Sequence, residues 1–500
     1  MRVMDKFNIT PNLDKFLKAV KRYSLIPLSL DLGGDFITPI QLCQKVKDKK
    51  YSFLLESVEG EEKISRFSFV GFNPLFLLSS KGRNVEITDF IKSKVDKFSS
   101  PLSPLDELRF LMKRFKAYPV KGTRFSGGFV GYLGYDNVRF FEPVLNFQDR
   151  IEDSESRFVF CKYFFIFDHK EKKVKAVSFV SLPSRVKIEE ASSLYREEKK
   201  NLLNLIDYFS KSKALNPLNF LRRKVKVKSN FSKKEFSSLV KRAKEHIKKG
   251  DIIQVVPSQR FSTGYKKDPF LIYRYLRVLN PSPYMYYLNF ADKQVIGASP
   301  EMLLRCEGDT VITRPIAGTR RRGRDEREDI ALEKELLSDP KEKAEHIMLV
   351  DLGRNDIGRV SEGGKVNISS FMKVERFSHV MHIVSEVKGK LDKGMNSFSA
   401  LKACFPAGTV TGAPKIRAMQ IIDELERSPR GIYAGCAGYF SFNGNIDTAI
   451  VIRTIVVEKN KAYVQAGGGI VLDSKPEKEY IETVNKAKAQ LVAIEYALGM

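Results

Sequence analysis

The sequence lacks most features that would place it in a simple class. It has no apolar run long enough to cross a bilayer. The opening stretch MRVMDKFNITPNLDKF has no apolar core and does not read as a signal peptide. The five cysteines, Cys43, Cys161, Cys306, Cys404 and Cys436, are odd in number and scattered, with no CxxC pair. That argues against a disulfide framework and fits a reduced, cytoplasmic protein. GxGxxG and Walker loops, an HExxH helix and a nucleophile elbow are all missing, so nothing implies a nucleotide or a covalent serine intermediate. There is no internal repeat and no low-complexity segment. Histidine is scarce, five in 500 residues, so few groups titrate near neutrality unaided.

What is present is an ordinary globular balance, 43% hydrophobic and 29% charged. Five hundred residues exceed one simple core, so two parts, or a core with a lobe, are expected. The formal net charge is +26, and residues 211–249 hold 14 Lys or Arg against two Glu. No recognition helix, zinc-finger spacing or RNP-like strand accompanies them, which argues against nucleic acid as a partner. A basic field also suits small anionic substrates.

In chain order, 51–57 and 64–70 read as a hairpin around a turn at 60–63, with further strands over 75–99 and a helix over 104–117. FSGGFVGYLGYD (125–136) sets glycines among aromatics, as close backbone approach requires. Strands are expected over 157–180 with a break at 168–173, then a helix over 186–209. Residues 210–231 are the best candidate for a linker. Ser232 and Glu235 form a capping box for a helix ending at Gly250. A strand over 252–261, broken at Pro257, a helix over 270–279 and a hairpin over 284–298 follow. Thr411 is expected to cap a helix from about Pro414 to Glu426. Strands over 435–442, 447–457 and 461–470 precede a last helix over 477–499.

Two glutamate pairs stand out, Glu342/Glu345 and Glu479/Glu482. Each has i, i+3 spacing, so each pair shares a helix face. Two such faces brought together make an oxygen-only cage that favours Mg²⁺ over zinc. Either pair could equally be a solvated surface. Arg453 lies in the apolar run IVIRTIVV, read here as strand, where an arginine is expected to face a carboxylate. The Gly467–Gly469 run and the GTVTGAP turn offer bare N–H groups to an anion. His382 is an acid–base candidate, whereas His346 and His379 fit satisfied core groups equally well. The residues thus point to Mg²⁺-assisted chemistry on a small dianion.

Longer motifs carry a resemblance. LLES (54–57), FSGGFVGYLGYD, QVVPSQRF (254–261), NPSPYMYYL (280–288), GASPE (297–301), RPIAGTRRRG (314–323), EKAEHIMLVDLGRND (342–356), FPAGTVTGAPK (405–415), GCAGY (435–439), DTAIVIRT (447–454) and QAGGGIV (465–471) are similar, in order, to the chorismate-utilising enzymes. The closest likeness is to the large synthase subunits of the anthranilate-forming branch. The resemblance implies an α+β fold of two large antiparallel sheets packed face to face with peripheral helices. It implies a smaller regulatory part from 1–100 and part of 101–230, and a catalytic core over 231–500 completed by strands from 120–180.

Carried onto this chain, the resemblance makes Glu345 and Glu482 ligands of Mg²⁺, with Glu342 and Glu479 near it, partly through water. Arg453, Tyr433 and the Gly467, Gly468 and Gly469 backbone would bind the substrate's pyruvyl side. Gly318 and Thr319 would form pocket wall, Thr409 would join the substrate pocket as a catalytic residue, and His382 and Glu301 would move protons. The implied reaction adds ammonia at C2 of chorismate as the C4 hydroxyl leaves, His382 assisting, and then eliminates pyruvate.

Water-adding relatives carry a lysine at the position of Gln254, and aminodeoxychorismate synthases commonly carry one at that of Ala317. Both choices here favour ammonia as the nucleophile, with aminodeoxychorismate synthesis as the alternative. Glu56, Ser57, Pro281, Tyr284 and Met285 would line an inhibitory L-tryptophan site. No cysteine sits in a glutaminase elbow, so the resemblance implies a separate glutamine amidotransferase subunit, in a heterodimer or heterotetramer.

Overall fold

The computed structural model describes residues 8–58, 66–120, 122–145, 147, 155–183, 185–211, 214–377 and 380–500. The turn expected at 60–63 and His379 lie outside the described residues.

Two long strands, Phe67–Lys81 and Ser156–Asp168, pair antiparallel and form the spine of the molecule. Their register slips between Pro74 and Phe76, and the neighbours change there. On one side of the slip, residues 69–71 pair with Ser52–Glu56, and 163–168 pair with Lys173–Ser181. That arm runs outward through Tyr284–Asn289, Lys293–Ser299, Thr454–Glu458, Lys461–Gly467 and Ser258–Gly264. On the other side, residues 76–81 pair with Asn84–Asp89, and 156–159 with Gly128–Leu133. This second arm continues through Cys436–Ser441, Ile446–Ile450, Met302–Glu307 and Thr310–Thr313 to Val380–Lys390. Among the described residues, the hydrogen bonds therefore form one network of 21 strands, plus the small pair Gln254–Val255 with Gly412–Ala413, rather than two separate large sheets. A long strand can serve both arms because a bulge re-aims it.

Strand alternation sorts the core. Tyr286 and Leu288 enter a cluster with Phe53, Phe69, Phe129, Phe158 and Phe440, drawn from both arms. Their neighbours Met285 and Tyr287 point the other way, as the two-residue period requires. They pack in a second cluster with Phe270, Tyr273 and Leu276 of the helix Pro269–Leu279 and with Ala493 and Ile494 of the last helix.

The expected elements mostly form where sequence placed them. Ser232 and Glu235 do make a reciprocal capping box at the helix Lys233–Lys248. Two local readings change. Thr411 does not cap the helix Lys415–Leu425; its hydroxyl donates to the Ala407 carbonyl at 2.9 Å, and Pro414 sits at the cap position. The expected strand 447–457 is two strands, Ile446–Ile450 and Thr454–Glu458. Arg453 lies in the break with φ +52°, and its carbonyl accepts from Ala298 N at 3.2 Å. A left-handed residue cannot continue a strand.

Candidate active site

A cleft of about 550 Å³ opens where the helices Pro340–Gly358 and Pro476–Gly499 meet the ends of both arms. Each helix start is fixed locally. Asp339 accepts from Lys341 N and Glu342 N at 3.0 and 3.3 Å, and Pro340 occupies the first turn, where its missing N–H costs nothing. Glu342 is thus set in the first turn with Glu345 beside it, and both line the cleft. Pro476 opens the last helix, and Glu479, Glu482 and Lys486 line the cleft from successive turns. His346, next to Glu345, is fully buried; Nε2 lies 2.6 Å from Ser385 Oγ and burial lowers its pKa to about 4. It is a neutral core histidine.

The carboxylates are held under tension of charge. Burial, then the neighbouring Glu345, raise the Glu342 carboxyl, while Arg320 at 3.4 Å opposes this. Burial raises Glu479 as well, with Glu482 adding to it, and Glu479 Oε2 is buried with no partner. Glu345 Oε1 accepts from Gln254 Nε2 at 3.2 Å, and Glu482 pairs with Lys486 Nζ at 2.7 Å. Among the described residues, no three His, Cys, Asp or Glu groups are close enough to enclose a metal. An oxygen-only donor set with an orphaned carboxylate oxygen and like charges nearby nevertheless suits a hard dication.

Beside the acids are the cations. Arg453 is half-buried, and desolvation lowers its pKa, while Tyr433 and Glu482 favour its charge; Nη1 donates to the Lys486 carbonyl. Lys486 Nζ also donates to the Gly467 carbonyl at 3.1 Å. Sequence reasoning missed Lys486: one turn past Glu482 it reads as a helix-surface lysine. The i, i+4 spacing to Glu482 was the only local signal.

The remaining expected residues divide. Glu301, Gly318, Thr319, His382, Thr409, Tyr433, Gly467 and Gly469 line the cleft, as do Gln254 and Ala317. Gly468 does not line it directly; a Cβ there would meet Glu479 Oε2 at an ordinary 3.5 Å. His382 Nδ1 lies 2.8 Å from the Gly318 carbonyl. A carbonyl only accepts, so Nδ1 carries the hydrogen. Burial lowers the ring's pKa, with Arg453 adding to this, so neutral His382 keeps Nε2 as an acceptor. Glu301 is the reverse case. Burial raises it to about 8, only partly offset by the Thr409 hydroxyl and Lys486. Thr409 Oγ1 is otherwise buried without a full hydrogen bond.

The five residues expected around tryptophan do not share one face. Glu56 lies opposite Met285 on the helix side of the sheet; Oε2 accepts from Tyr273 Oη at 2.6 Å and Arg277 Nε at 3.0 Å. Ser57 Oγ is buried without a partner, and Pro281 lies on the connection ahead of the strand. Tyr284 points to the opposite face, where Oη donates to Asp447 Oδ1 at 3.0 Å and accepts from Arg305 Nη2 at 3.2 Å. The two-residue period sets Tyr284 and Met285 on opposite faces, but which of them shares a face with Glu56 depends on the pairing register.

The model of the chorismate binding enzyme family matches residues 50–492. The chain belongs to the chorismate binding enzymes. Across this family it is similar to anthranilate synthase component 1 of Aquifex aeolicus, 48% identical over 98% of this chain and 99% of that protein. It is similarly close to that of Bacillus subtilis, at 42% over 99% and 96%. Among solved structures, anthranilate synthase component I from Streptococcus pneumoniae superposes with a TM-score of 0.73 at 38% identity, covering 92% of this chain and 98% of that one. The menaquinone-specific isochorismate synthase of Escherichia coli, 18% identical with a TM-score of 0.69 over 96% of this chain and 98% of that one, shares the fold.

Proposed function

We infer that this chain is an anthranilate synthase component I, converting chorismate and ammonia to anthranilate and pyruvate at the start of tryptophan biosynthesis. The observation that carries the reading is the pairing of Gln254 and Ala317 in one cleft with two acidic helix faces. Neither an amide nor a methyl can act as a general base or attack a ring, so neither position supplies the nucleophile, which favours ammonia.

Glu342, Glu345, Glu479 and Glu482 would hold Mg²⁺, which when bound supplies charge neutralisation for a substrate carboxylate. Arg453, and Lys486 one turn past Glu482 on the same helix, provide the cations beside these acids, and Arg453 is anchored by its bond to the Lys486 carbonyl. Tyr433 and the Gly467 and Gly469 backbone close that side. Gly318 and Thr319 fix the His382 ring through Nδ1, so its Nε2 can take a proton. Glu301, raised to about 8, holds a proton near neutrality and can give it to a departing hydroxyl. The expectation from sequence set His382 to assist that departure, with Glu301 as the second proton-transfer candidate; this reading gives Glu301 the larger share. Thr409 lines the cleft with Glu301 and presents a buried hydroxyl that makes no full hydrogen bond among the described residues.

All five cysteines are buried, and burial raises each thiol. None is poised as a glutaminase nucleophile. This supports ammonia delivery by a separate glutamine amidotransferase subunit. The smaller N-terminal part is read as regulatory, with L-tryptophan as inhibitor at the Glu56–Ser57 side of the sheet.

The test incubates the purified chain with chorismate, Mg²⁺ and an ammonium salt and identifies the products. Anthranilate and pyruvate are expected, with glutamine unable to replace ammonium. A product that keeps its enolpyruvyl group would overturn the reading in favour of aminodeoxychorismate synthesis.

A further inference from the structure

Behind the cleft wall lies a buried ion pair that no catalytic step uses. Arg430 and Glu426 are 2% and 5% exposed at their side chains. The Arg430 guanidinium spends its donors on four acceptors. Nε and Nη2 hold the Glu426 carboxylate at 3.1 and 2.7 Å, Nη1 donates to the Val410 carbonyl at 2.7 Å, and Nη2 donates to the Val256 carbonyl at 2.6 Å. Its Cζ lies over the rings of both Tyr135 and Tyr433, 4.8 and 5.5 Å from their centroids. Glu426 Oε1 in turn accepts from Ser258 N and Ser258 Oγ at 2.7 and 3.0 Å.

Val256, Val410 and Tyr433 all line the cleft and come from three separate segments. Val256 sits in the break between Gln254–Val255 and Ser258–Gly264. Val410 ends the short turn Gly408–Val410 that carries Thr409. Neither carbonyl lies within a long strand or helix that would fix its direction. A planar five-donor fork reaches both at once, which a lysine ammonium cannot do in the same geometry.

We propose that Arg430 is a positioning residue that locks the Val256, Thr409–Val410 and Tyr433 walls of the cleft into one substrate-binding geometry, with Glu426 as its counter-charge. The inference rests on the functional reading above. A stability role alone would lower the melting temperature and the active fraction but leave the chorismate KM of folded enzyme unchanged. A positioning role moves that KM.

The experiment compares the full chain with Arg430→Lys, which keeps charge and loses the fork, under chorismate, Mg²⁺ and ammonium. For folded variant the chorismate KM is expected to rise about tenfold or more, while the ammonium KM stays within about twofold. An unchanged chorismate KM overturns the proposal. If Arg430→Lys does not fold, Glu426→Gln removes the counter-charge while keeping the side chain's shape. There a rise of about two- to fivefold in chorismate KM supports the proposal, and no rise overturns it. Wild-type chain that makes no anthranilate would overturn the functional reading itself.

Discussion

Near neutrality Glu301 keeps a proton that an exposed glutamate would have lost, because burial disfavours its charged form. Replacing it with Gln removes the transferable proton and keeps the shape, and kcat is expected to fall by about 10²- to 10⁴-fold. The same burial affects stability. Between the ordinary value of 4.5 and about 8, the folded carboxyl is protonated while the unfolded one is not. Stability from this group is therefore fully present at low pH and lost as pH rises through about 8. Glu301→Gln should raise the melting temperature of the substrate-free chain by a few degrees above pH about 8, and by nothing near pH about 4. Equal gains at both pH values would refute the assigned protonation state. Sequence identified Glu301 and His382 as candidates but not their protonation states. Those depend on the Gly318 carbonyl and on burial, which are set by folding.

At the scale of elements, the glycine run and the helix joints decide how the cleft is assembled. A Cβ at Gly467 would meet the Pro257 carbonyl oxygen at 2.8 Å and Tyr433 Oη at 2.7 Å, whereas Gly468 has only ordinary contacts. Gly467→Ala is expected to raise the chorismate KM about tenfold or more and Gly468→Ala to leave it nearly unchanged. Equal effects in the same assay would show that the run acts as a flexible whole. At the far end of the Glu342/Glu345 helix, Asp356 pairs with Lys415 Nζ at 2.6 Å and ties that helix to Lys415–Leu425. Lys415→Met leaves the largely buried Asp356 with only the more distant Arg359 charge and is expected to cost about 2–3 kcal/mol in denaturant unfolding. Burial raises the Asp356 carboxyl and Lys415 opposes this, so the loss should deepen as pH rises. A loss independent of pH would remove the charge explanation. Helices with strong caps, such as that begun by Ser232, were legible from sequence. The break at Arg453 was not, since IVIRTIVV has the apolar content of a continuous strand. There the backbone turns to φ +52° where Arg453 bonds the Lys486 carbonyl and accepts from Ala298 N, contacts that exist only once the chain has folded.

Across the whole molecule, the forked network joins the LLES and NPSPYMYYL stretches to the cleft. Tyr284 leaves the strand toward Asp447 and Arg305. Arg305 lies on the strand that follows Glu301, and Asp447 on the strand that leads to Arg453. Glu56, on the opposite face, is engaged by Tyr273 and Arg277 of the covering helix. Sequence showed that these stretches belong together but not that they serve two faces, because face assignment needs the pairing register. If L-tryptophan is received on the Glu56 side, Tyr284→Phe removes a link on the cleft side and leaves the binding side intact. The chain has no tryptophan of its own, so the fluorescence anisotropy of added L-tryptophan reports binding directly. Tyr284→Phe is expected to keep that binding within about twofold while weakening inhibition of anthranilate formation by about fivefold or more. Loss of binding and inhibition in parallel would instead place the Tyr284 hydroxyl in the inhibitor pocket, as first expected. Retained binding with lost inhibition would locate the coupling in the buried Tyr284–Arg305–Asp447 group, where the two arms meet between the inhibitor side and the acids of the cleft.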